Sequence, residues 1–259
     1  MNSQGGSMRA NKLREIWADG GTAVNGWLHI PSSWSAEVMA HAGFDSITVD
    51  LQHGLAGYQA AVTMLQAIST TDVVPLARST WNDPAQIMRL LDAGAYGIIC
   101  PMINTRAEAE AFVGACSYPP LGFRSLGPTR ARVYAGSDYA SKANETILTL
   151  AMVETQEALN NLQDILSTPG LDGVFVGPGD LGFSLTGQTG MDMNDPVLAS
   201  ALSQIAEITR EHNRIASIWV PTVESGQRMR QLGYQLITLS SDTRLLDAAA
   251  RDYIYKFKS

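Results

Sequence analysis

Lysine is scarce in this sequence of 259 residues. The lysines are Lys12, Lys142, Lys256 and Lys258, and none of them ends an apolar run of the kind that forms a buried strand. An enzyme that forms a Schiff base with its substrate needs a lysine that projects into the active site. We therefore expect no Schiff-base chemistry from this chain.

Cysteines and long apolar runs are also rare. The two cysteines, Cys100 and Cys116, form no CxxC pair, and a disulfide scaffold would need more of them. No run approaches the ~20 apolar residues of a membrane span, and the amino terminus lacks the apolar segment of a signal peptide. We expect a reduced, cytoplasmic protein in which residues 1–7 form an unstructured lead.

Positive charge is in deficit. The 18 basic residues face 25 acidic ones, which gives a net charge of −7. Such a balance does not favour binding to nucleic acid or to an anionic membrane, so any anionic substrate must be held by local basic groups. The sequence has no GxSxG, Walker A or HExxH motif, and no GxGxxG follows an early strand, which argues against several common enzyme classes.

Apolar residues, by contrast, make up 45% of the chain and can fill a large core. Eight short apolar runs alternate with longer helical patterns, at residues 22–29, 46–50, 73–78, 96–102, 147–154, 172–178, 216–220 and 235–240. Such runs suit parallel strands that helices cover. They predict a single (β/α)8 TIM barrel over residues 22–259, after a lead and a first helix over residues 1–21. A doubly wound open sheet is the alternative.

Two connections are longer than a compact barrel needs. They span residues 118–145 and 182–193, and both are rich in glycine. Long connections in compact domains are usually functional or mobile. Because we take both to follow strands, we expect both at the carboxyl-terminal face of the barrel. The clearest helical patterns lie at residues 35–43, 83–94, 194–212 and 224–233.

Polar side chains follow several of the predicted strands, at the face where the active sites of barrel enzymes lie. They are Asp50, Gln52, His53, Arg78, Glu154 and Asp180. Any one of them alone could be a helix cap, a turn former or a structural group. Together they supply a base, a cation and two acids at one mouth.

Glu154 and Asp180 follow adjacent predicted strands. Two neighbouring carboxylates repel each other unless a cation lies between them. Hard oxygen ligands with open positions suit Mg²⁺ or Mn²⁺, with Co²⁺ or Zn²⁺ as possible substitutes. The two acids predict a divalent metal site; the alternative is that each caps a helix or a turn.

Arg78 ends an apolar run, where a guanidinium can bind a keto oxygen and stabilise an enolate. A structural ion pair with Asp50 or Asp92 is the alternative. Asp92 is either a support for His53 or Arg78 or a surface residue. Backbone N–H groups in the turn at residues 177–180 are candidates to hold a carboxylate or a phosphate; an ordinary tight turn is the alternative.

Five stretches of the sequence resemble the HpcH/HpaI aldolase/citrate lyase family, most of all its hydroxy ketoacid (pyruvate) aldolases. They are VDLQHG at 49–54, PLARSTWNDPAQIMRLLDAGAYGIICPMINT at 75–105, YPPLGFRSLGP at 118–128, MVETQEALNNL at 152–162 and LDGVFVGPGDLGFSLT at 171–186. The resemblance extends from about Gly26 over nearly all of the remaining chain. It implies a (β/α)8 barrel of the phosphoenolpyruvate/pyruvate type that reversibly cleaves 4-hydroxy-2-keto acids to pyruvate, or a related 2-keto acid, and an aldehyde.

The resemblance also assigns roles to residues. It implies that His53 is the catalytic base, supported by Asp50 and Asp92, and that Arg78 holds the keto oxygen and its enolate. It implies that Glu154 and Asp180 are the metal ligands. The backbone at Gly179 and Asp180 would cradle the substrate carboxylate, and Trp27 would line the mouth.

Family members exchange their last helix between subunits and assemble as hexamers, commonly trimers of dimers. The resemblance therefore implies a homo-oligomer whose site is partly built by a neighbour. The chain departs from the family at Gln52, where better-known members have glutamate before the catalytic histidine, and at Gly179, where alanine is more usual. Gln52 removes a charge near the catalytic base, so we expect it to affect which aldehyde or keto acid is accepted.

Two other functions remain open at this point. One is a lyase of the same superfamily that acts on acyl-CoA thioesters of the malyl- or citramalyl-CoA type, with the cluster of Arg124, Arg130 and Arg132 holding the CoA phosphates. The other is a barrel without catalytic activity that binds a ligand or supports an assembly. The second leaves the base, the arginine and the two acids unexplained.

Overall fold

The computed structural model describes residues 8–259 and shows a closed barrel of eight parallel strands in the order β1 to β8. The strands are β1 (Ala23–Leu28), β2 (Ser46–Asp50), β3 (Val74–Arg78), β4 (Gly97–Cys100), β5 (Leu148–Val153), β6 (Gly173–Val176), β7 (Ile215–Val220) and β8 (Leu236–Leu239). All eight predicted runs contain a strand, so the prediction of a (β/α)8 barrel is confirmed and the open sheet is excluded.

Helices surround the barrel and connect its strands. They are α1 (Lys12–Ala18), α2 (Ser33–Ala40), α3 (Tyr58–Ile68), α4 (Pro84–Asp92), α5 (Arg106–Cys116), α6 (Thr129–Ala135), α7 (Tyr139–Thr146), α8 (Gln156–Asn160), α9 (Leu162–Leu166), α10 (Pro178–Thr186), α11 (Pro196–Glu211), α12 (Val223–Leu232) and α13 (Asp242–Lys258). Within residues 8–259, no helix is both long and apolar enough to cross a bilayer.

The start signals that the sequence predicts are formed in the structure. Asp83 caps α4 through a hydrogen bond from the backbone of Ala85, and Pro84 occupies the first turn. Asp195 likewise caps α11, whose buried face includes Leu198, Leu202 and Ile205. Caps of this kind fix where each helix begins, and therefore where the connection from the preceding strand must end.

The register of the strands brings the polar ends together. Asp50 on β2 is the pairing partner of Arg78 on β3. Val153 on β5 pairs with Val176 on β6, so Glu154 and Gly177, the next residues of the two strands, leave the barrel side by side. Parallel pairing places all these ends at one face of the barrel.

The expectation that residues 118–145 lie at the carboxyl-terminal face is wrong. The segment follows α5, which has already returned the chain to the amino-terminal end, and it contains α6 and α7. Arg124 and Arg130 bond to Asp92 and to the carbonyl of Ala93, at the far end of α4. Residues 182–193 do reach the mouth, although the first five belong to α10.

The two ends of the described chain differ in their contacts. Helix α1 lies across the amino-terminal end of the barrel, where Asn11 donates to the carbonyls of Tyr96 and Thr146. Helix α13 leaves large apolar side chains exposed; they are Leu245, Leu246, Tyr253, Ile254, Tyr255 and Phe257. The lead expected at residues 1–7 lies outside the described residues.

Candidate active site

A cavity of about 300 Å³ opens at the carboxyl-terminal face of the barrel. Trp27, His29, His53, Arg78, Met152, Phe175, Gly177, Pro178, Gly179, Asp180, Met191 and Trp219 line it. Seven of the predicted site residues lie in this cavity or contact its lining: Trp27, Asp50, His53, Arg78, Glu154, Gly179 and Asp180. The combination of apolar walls and few polar groups is typical of a small-molecule site.

Asp50 is the polar centre beneath this cavity. Its side chain is fully buried, and Arg78 binds both carboxylate oxygens, with Nε 2.8 Å from Oδ1 and Nη2 2.6 Å from Oδ2. This two-point geometry fixes the plane of the guanidinium. The ion pair that the sequence left as an alternative role for Arg78 is therefore formed, and it sets the direction in which Arg78 faces the cavity.

Four further N–H groups are placed to donate hydrogen bonds to Asp50. The Trp27 indole and the His29 imidazole lie 3.2 and 3.1 Å from Oδ2, and the backbone N–H groups of Gln52 and His53 lie 3.0 and 3.4 Å from Oδ1. Burial pushes the pKa of Asp50 upward, but the bonds from His29 and Arg78 outweigh it and hold the pKa well below its usual value. Asp50 is thus a permanent anion and an anchor, and it contacts His53 through the backbone.

Arg78 is nearly buried, yet part of it lines the cavity. Its guanidinium carbon lies 4.9 Å from the centre of the Trp27 ring, which in turn stacks on Phe175 with ring centres 5.4 Å apart. The aromatic face supports the cation without consuming its donors. Arg78 therefore keeps a preorganised positive charge at the cavity wall.

His53 lies in the loop after β2 and is exposed at the mouth. Among the described residues, its imidazole makes no hydrogen bond; its backbone alone is tied to Asp50. An imidazole with both ring nitrogens available at a cavity wall can accept a proton from a bound substrate. The position agrees with the role expected for His53.

Glu154 lies just below the cavity surface and is 3% exposed. The backbone N–H of Met102 donates to Oε1 at 2.8 Å, and Met102 adopts a left-handed φ of 55° to do so. Burial raises the pKa of Glu154; the charge of Asp180 raises it further, whereas the Met102 bond and Arg78 oppose the rise. The charge of Asp180 is therefore close enough to Glu154 to affect the pKa of that carboxyl.

The absence of a side chain at Gly177 leaves space for the carboxylate of Glu154. A Cβ at Gly177 would lie 2.9 Å from Oε2 of Glu154 and 3.2 Å from the Met152 methyl carbon, so a side chain there would displace the carboxylate. At Gly179 a Cβ would meet nothing within 4 Å. The departure from the family at Gly179 therefore leaves the local packing intact.

The two acids fit a hard divalent cation. Glu154 is a buried carboxylate whose charge is poorly compensated, and Asp180 is exposed at the start of α10 beside it. No cluster of three or more His, Cys, Asp or Glu side chains suited to a metal occurs in residues 8–259. Two protein carboxylates leave the remaining positions of a six-coordinate ion to substrate and water, as is common for Mg²⁺.

The side chains of Asp92 and Gln52 do not line the cavity of their own chain. Asp92 ends α4 at the opposite end of the barrel, where Oδ1 accepts from Nη2 of Arg124 at 2.8 Å. The Oε1 atom of Gln52 is buried without a hydrogen-bond partner among the described residues. Neither residue contacts substrate space within a single chain.

Five lining residues escaped the sequence reasoning: His29, Met152, Phe175, Met191 and Trp219. A signal existed for His29, because it lies two positions beyond Trp27 and side chains two apart share one face of a strand. The same alternation links Met152 to Glu154. Nothing in the sequence distinguishes Phe175 or Trp219 from core residues.

Comparison with known proteins adds an independent finding. The chain is 40% identical to a hydroxypyruvate/pyruvate aldolase of Rhizorhabdus wittichii over 94% of its own length and 97% of that protein. It is 36% identical to a 4-hydroxy-2-oxo-heptane-1,7-dioate aldolase of Escherichia coli over 95% of both chains.

The fold has solved counterparts as well. A HpcH/HpaI aldolase/citrate lyase family protein of Burkholderia cenocepacia superposes with a TM-score of 0.90 at 29% identity, over 96% of this chain and 100% of that one. Residues 26–249 match the family HpcH/HpaI aldolase/citrate lyase. With the acids, the arginine and the histidine already placed at one mouth, these matches show that the chain belongs to the HpcH/HpaI aldolase/citrate lyase family and is a carbon–carbon lyase.

Proposed function

We propose that this protein is a metal-dependent aldolase that reversibly cleaves 4-hydroxy-2-keto acids to pyruvate, or a related 2-keto acid, and an aldehyde. The observation that carries the proposal is the convergence of His53, Arg78 and the Glu154–Asp180 pair on one cavity. The names of the similar aldolases support the substrate class.

Family membership implies a divalent metal, and Glu154 and Asp180 are the residues that would hold it. Mg²⁺ or Mn²⁺ suits two carboxylates, and Co²⁺ or Zn²⁺ could substitute. When bound, the ion would act as a Lewis acid on the carboxylate and keto oxygens of the substrate. Gly177 keeps Glu154 free to face the ion, because no Cβ crowds Oε2.

The first turn of α10 and Arg78 would orient the keto acid. The N–H groups of Gly179 and Asp180 lie at the positive end of α10 and can donate to the substrate carboxylate. Arg78, locked by Asp50, directs its charge to the keto oxygen, where negative charge grows as the enolate forms. The carboxylate and the keto group of the substrate would thus be bound by different elements of the barrel.

His53 would move the proton. In cleavage, it accepts the proton of the C4 hydroxyl as the C4 oxygen becomes the aldehyde carbonyl and the C3–C4 bond breaks. The electron pair of that bond becomes the enolate of the keto acid, which Arg78 stabilises. Protonation of C3 then gives the methyl group of pyruvate. In synthesis, the same imidazole removes that proton.

The walls beyond the polar groups would hold the aldehyde. Met152, Phe175, Met191 and Trp219 give this side of the cavity an apolar surface. Such a surface accepts chains of several shapes and discriminates weakly between them. We therefore propose that the enzyme accepts more than one aldehyde.

Action on CoA thioesters is less well supported. Within the proposed CoA-binding cluster, Arg124 is fully buried against Asp92 and Tyr139, and Arg130 donates to Ala93 and Ser69. Both lie at the end of the barrel opposite the cavity. Their guanidinium groups are already engaged inside the protein, so neither is available to hold a phosphate.

We further propose that the protein is a homo-oligomer, a hexamer in keeping with the family resemblance, in which α13 packs on a neighbour. The exposed apolar residues of α13 support this, since a soluble monomer rarely exposes such a row. Asp92, whose Oδ2 is free of the bond to Arg124, would then serve His53 of an adjacent subunit. The two free, buried cysteines agree with a cytoplasmic location.

The test of the function is direct. Purified protein with Mn²⁺ should exchange the methyl protons of pyruvate for deuterium and should condense pyruvate or hydroxypyruvate with short aldehydes. Chelation should abolish both activities, and added metal should restore them. Cleavage of malyl- or citramalyl-CoA without turnover of free keto acids would overturn the proposal, as would metal binding without deuterium exchange.

A further inference from the structure

His29 is the second imidazole that lines the cavity, and it follows the end of β1. Its Nε2 lies 3.1 Å from Oδ2 of Asp50, the same oxygen that Nη2 of Arg78 contacts at 2.6 Å. The ring is therefore one bond away from the guanidinium that faces the substrate. It reaches the pair from β1, whereas Arg78 reaches it from β3.

The second nitrogen of the His29 ring is also engaged. Because the ionised Asp50 carboxylate can only accept, Nε2 carries a proton. In the neutral ring Nδ1 then accepts, and the Thr243 hydroxyl lies 3.3 Å from it. With both nitrogens used inside the protein, His29 has no lone pair left for the substrate, in contrast to His53.

The backbone strengthens the same connection. The N–H groups of His29 and Ile30 donate to the two oxygens of Asp242 at 2.9 and 3.1 Å. Asp242 and Thr243 form the first turn of α13, whose remaining length is largely exposed. His29 thus contacts the active-site anion on one side and the first turn of the last helix on the other.

We infer that His29 is a positioning residue of the proposed aldolase reaction: it fixes the Asp50 carboxylate, and through it Arg78, against the first turn of α13. The inference rests on the proposed function. Asp50 is fully buried beneath the cavity, and it is oriented by bonds from Trp27 on β1, from the backbone of Gln52 just after β2 and from Arg78 on β3. Without His29, one lone pair of Oδ2 loses its donor, and the carboxylate and its arginine can shift together. Displacements of about 1 Å at a catalytic group can cost on the order of 10²-fold in rate.

The experiment compares four variants of the full-length, metal-loaded enzyme. His29→Ala removes both ring bonds, and His29→Gln keeps an N–H near the position of Nε2. Thr243→Val removes the bond to α13 alone, without touching Asp50. His41→Ala, at the exposed end of α2, is the matched control. Each is measured by kcat and KM for the keto acid, by melting temperature and by oligomeric state.

We expect His29→Ala to lower kcat about 10- to 100-fold with a small change in KM, because the loss concerns orientation of a charge that acts in the transition state. His29→Gln should recover much of kcat, Thr243→Val should lie between, and His41→Ala should match the wild type. Unchanged kcat in His29→Ala would overturn the inference. So would equal losses in the Ala and Gln variants that follow a lower melting temperature, since a structural role would give that pattern. If His29→Ala fails to fold, Thr243→Val decides: wild-type kcat in it would overturn the link to α13. An inactive wild type would instead contradict the proposed function.

Discussion

The guanidinium of Arg78 and the carboxylate of Asp50 are paired through two bonds, 2.8 and 2.6 Å long, at the paired ends of β2 and β3. The pair lies almost wholly out of solvent, so the geometry is held by the barrel and not by a flexible surface contact. A buried pair of this kind contributes little net stability, because desolvation offsets the attraction. Its value is the fixed direction of the charge.

Arg78→Lys should test that direction. Lysine keeps the charge but offers a point donor on a flexible stem, so it cannot reproduce the two-point contact with Asp50. We expect kcat/KM for aldol cleavage to fall by about 10²-fold or more. Arg106→Lys, at an exposed pair with Glu110, is the control and should leave kinetics unchanged. Wild-type rates in Arg78→Lys would contradict the proposed contact with the keto oxygen.

His53→Gln should separate binding from proton transfer. The imidazole makes no structural hydrogen bond in residues 8–259, so its loss should leave the melting temperature within about a degree. Deuterium exchange into pyruvate should fall at least about 10²-fold, while pyruvate and Mn²⁺ still bind. His41→Gln supplies the matched surface control. Full exchange activity in His53→Gln would remove His53 as the base.

Glu154→Gln should weaken metal binding. The amide keeps the shape of the side chain and can still accept from Met102, but it removes the charge that a hard cation requires. We expect Mn²⁺ affinity, measured by calorimetry, to fall at least about 10-fold and activity about 10²-fold. Glu157→Gln, exposed at the start of α8, should behave as the wild type. Unaltered Mn²⁺ affinity in Glu154→Gln would place the metal elsewhere.

Two glycines two positions apart at the mouth, Gly177 and Gly179, provide a steric test. Gly177→Ala would place a methyl group 2.9 Å from Oε2 of Glu154, whereas Gly179→Ala meets open space. We expect Gly177→Ala to weaken Mn²⁺ binding and reduce activity about 10-fold or more, because the carboxylate must move. Gly179→Ala should retain metal affinity. Identical metal affinities in the two variants would contradict the assigned position of Glu154.

The low pKa of Asp50 predicts an acid dependence of stability. A carboxyl whose pKa is lower in the folded than in the unfolded state adds stability that is present above its unfolded pKa and is lost as pH falls through its folded pKa. The difference in unfolding free energy between the wild type and Asp50→Asn should therefore shrink as the pH is lowered from about 5. Urea unfolding at several pH values measures it. A difference that stayed constant down to about pH 2 would contradict the lowered pKa.

Most of the barrel could be predicted from local patterns. The run at residues 46–50, in which Ile47 and Val49 alternate with Ser46 and Thr48, becomes β2 with the same bounds. Asp83-Pro84 and Asp195-Pro196 signal helix starts that the structure forms. These signals are local because strand burial and helix capping depend on neighbouring residues. The position of residues 118–145 was mistaken because it depends on α5, which the pattern did not delimit.

The candidate site, like the fold, has features that the sequence predicts and features that depend on the tertiary structure. The sequence alone determined that this chain carries eight buried strands with an arginine, a histidine and two acids at or after their ends. These polar residues directly follow apolar runs along the chain, so they can be recognised without the tertiary structure. The tertiary structure alone decided that Asp50 on β2 receives bonds from the two neighbouring strands, that His29 joins the cavity and that Asp92 lies at the other end of the barrel. Those facts depend on strand register and barrel closure, which bring together residues far apart along the chain.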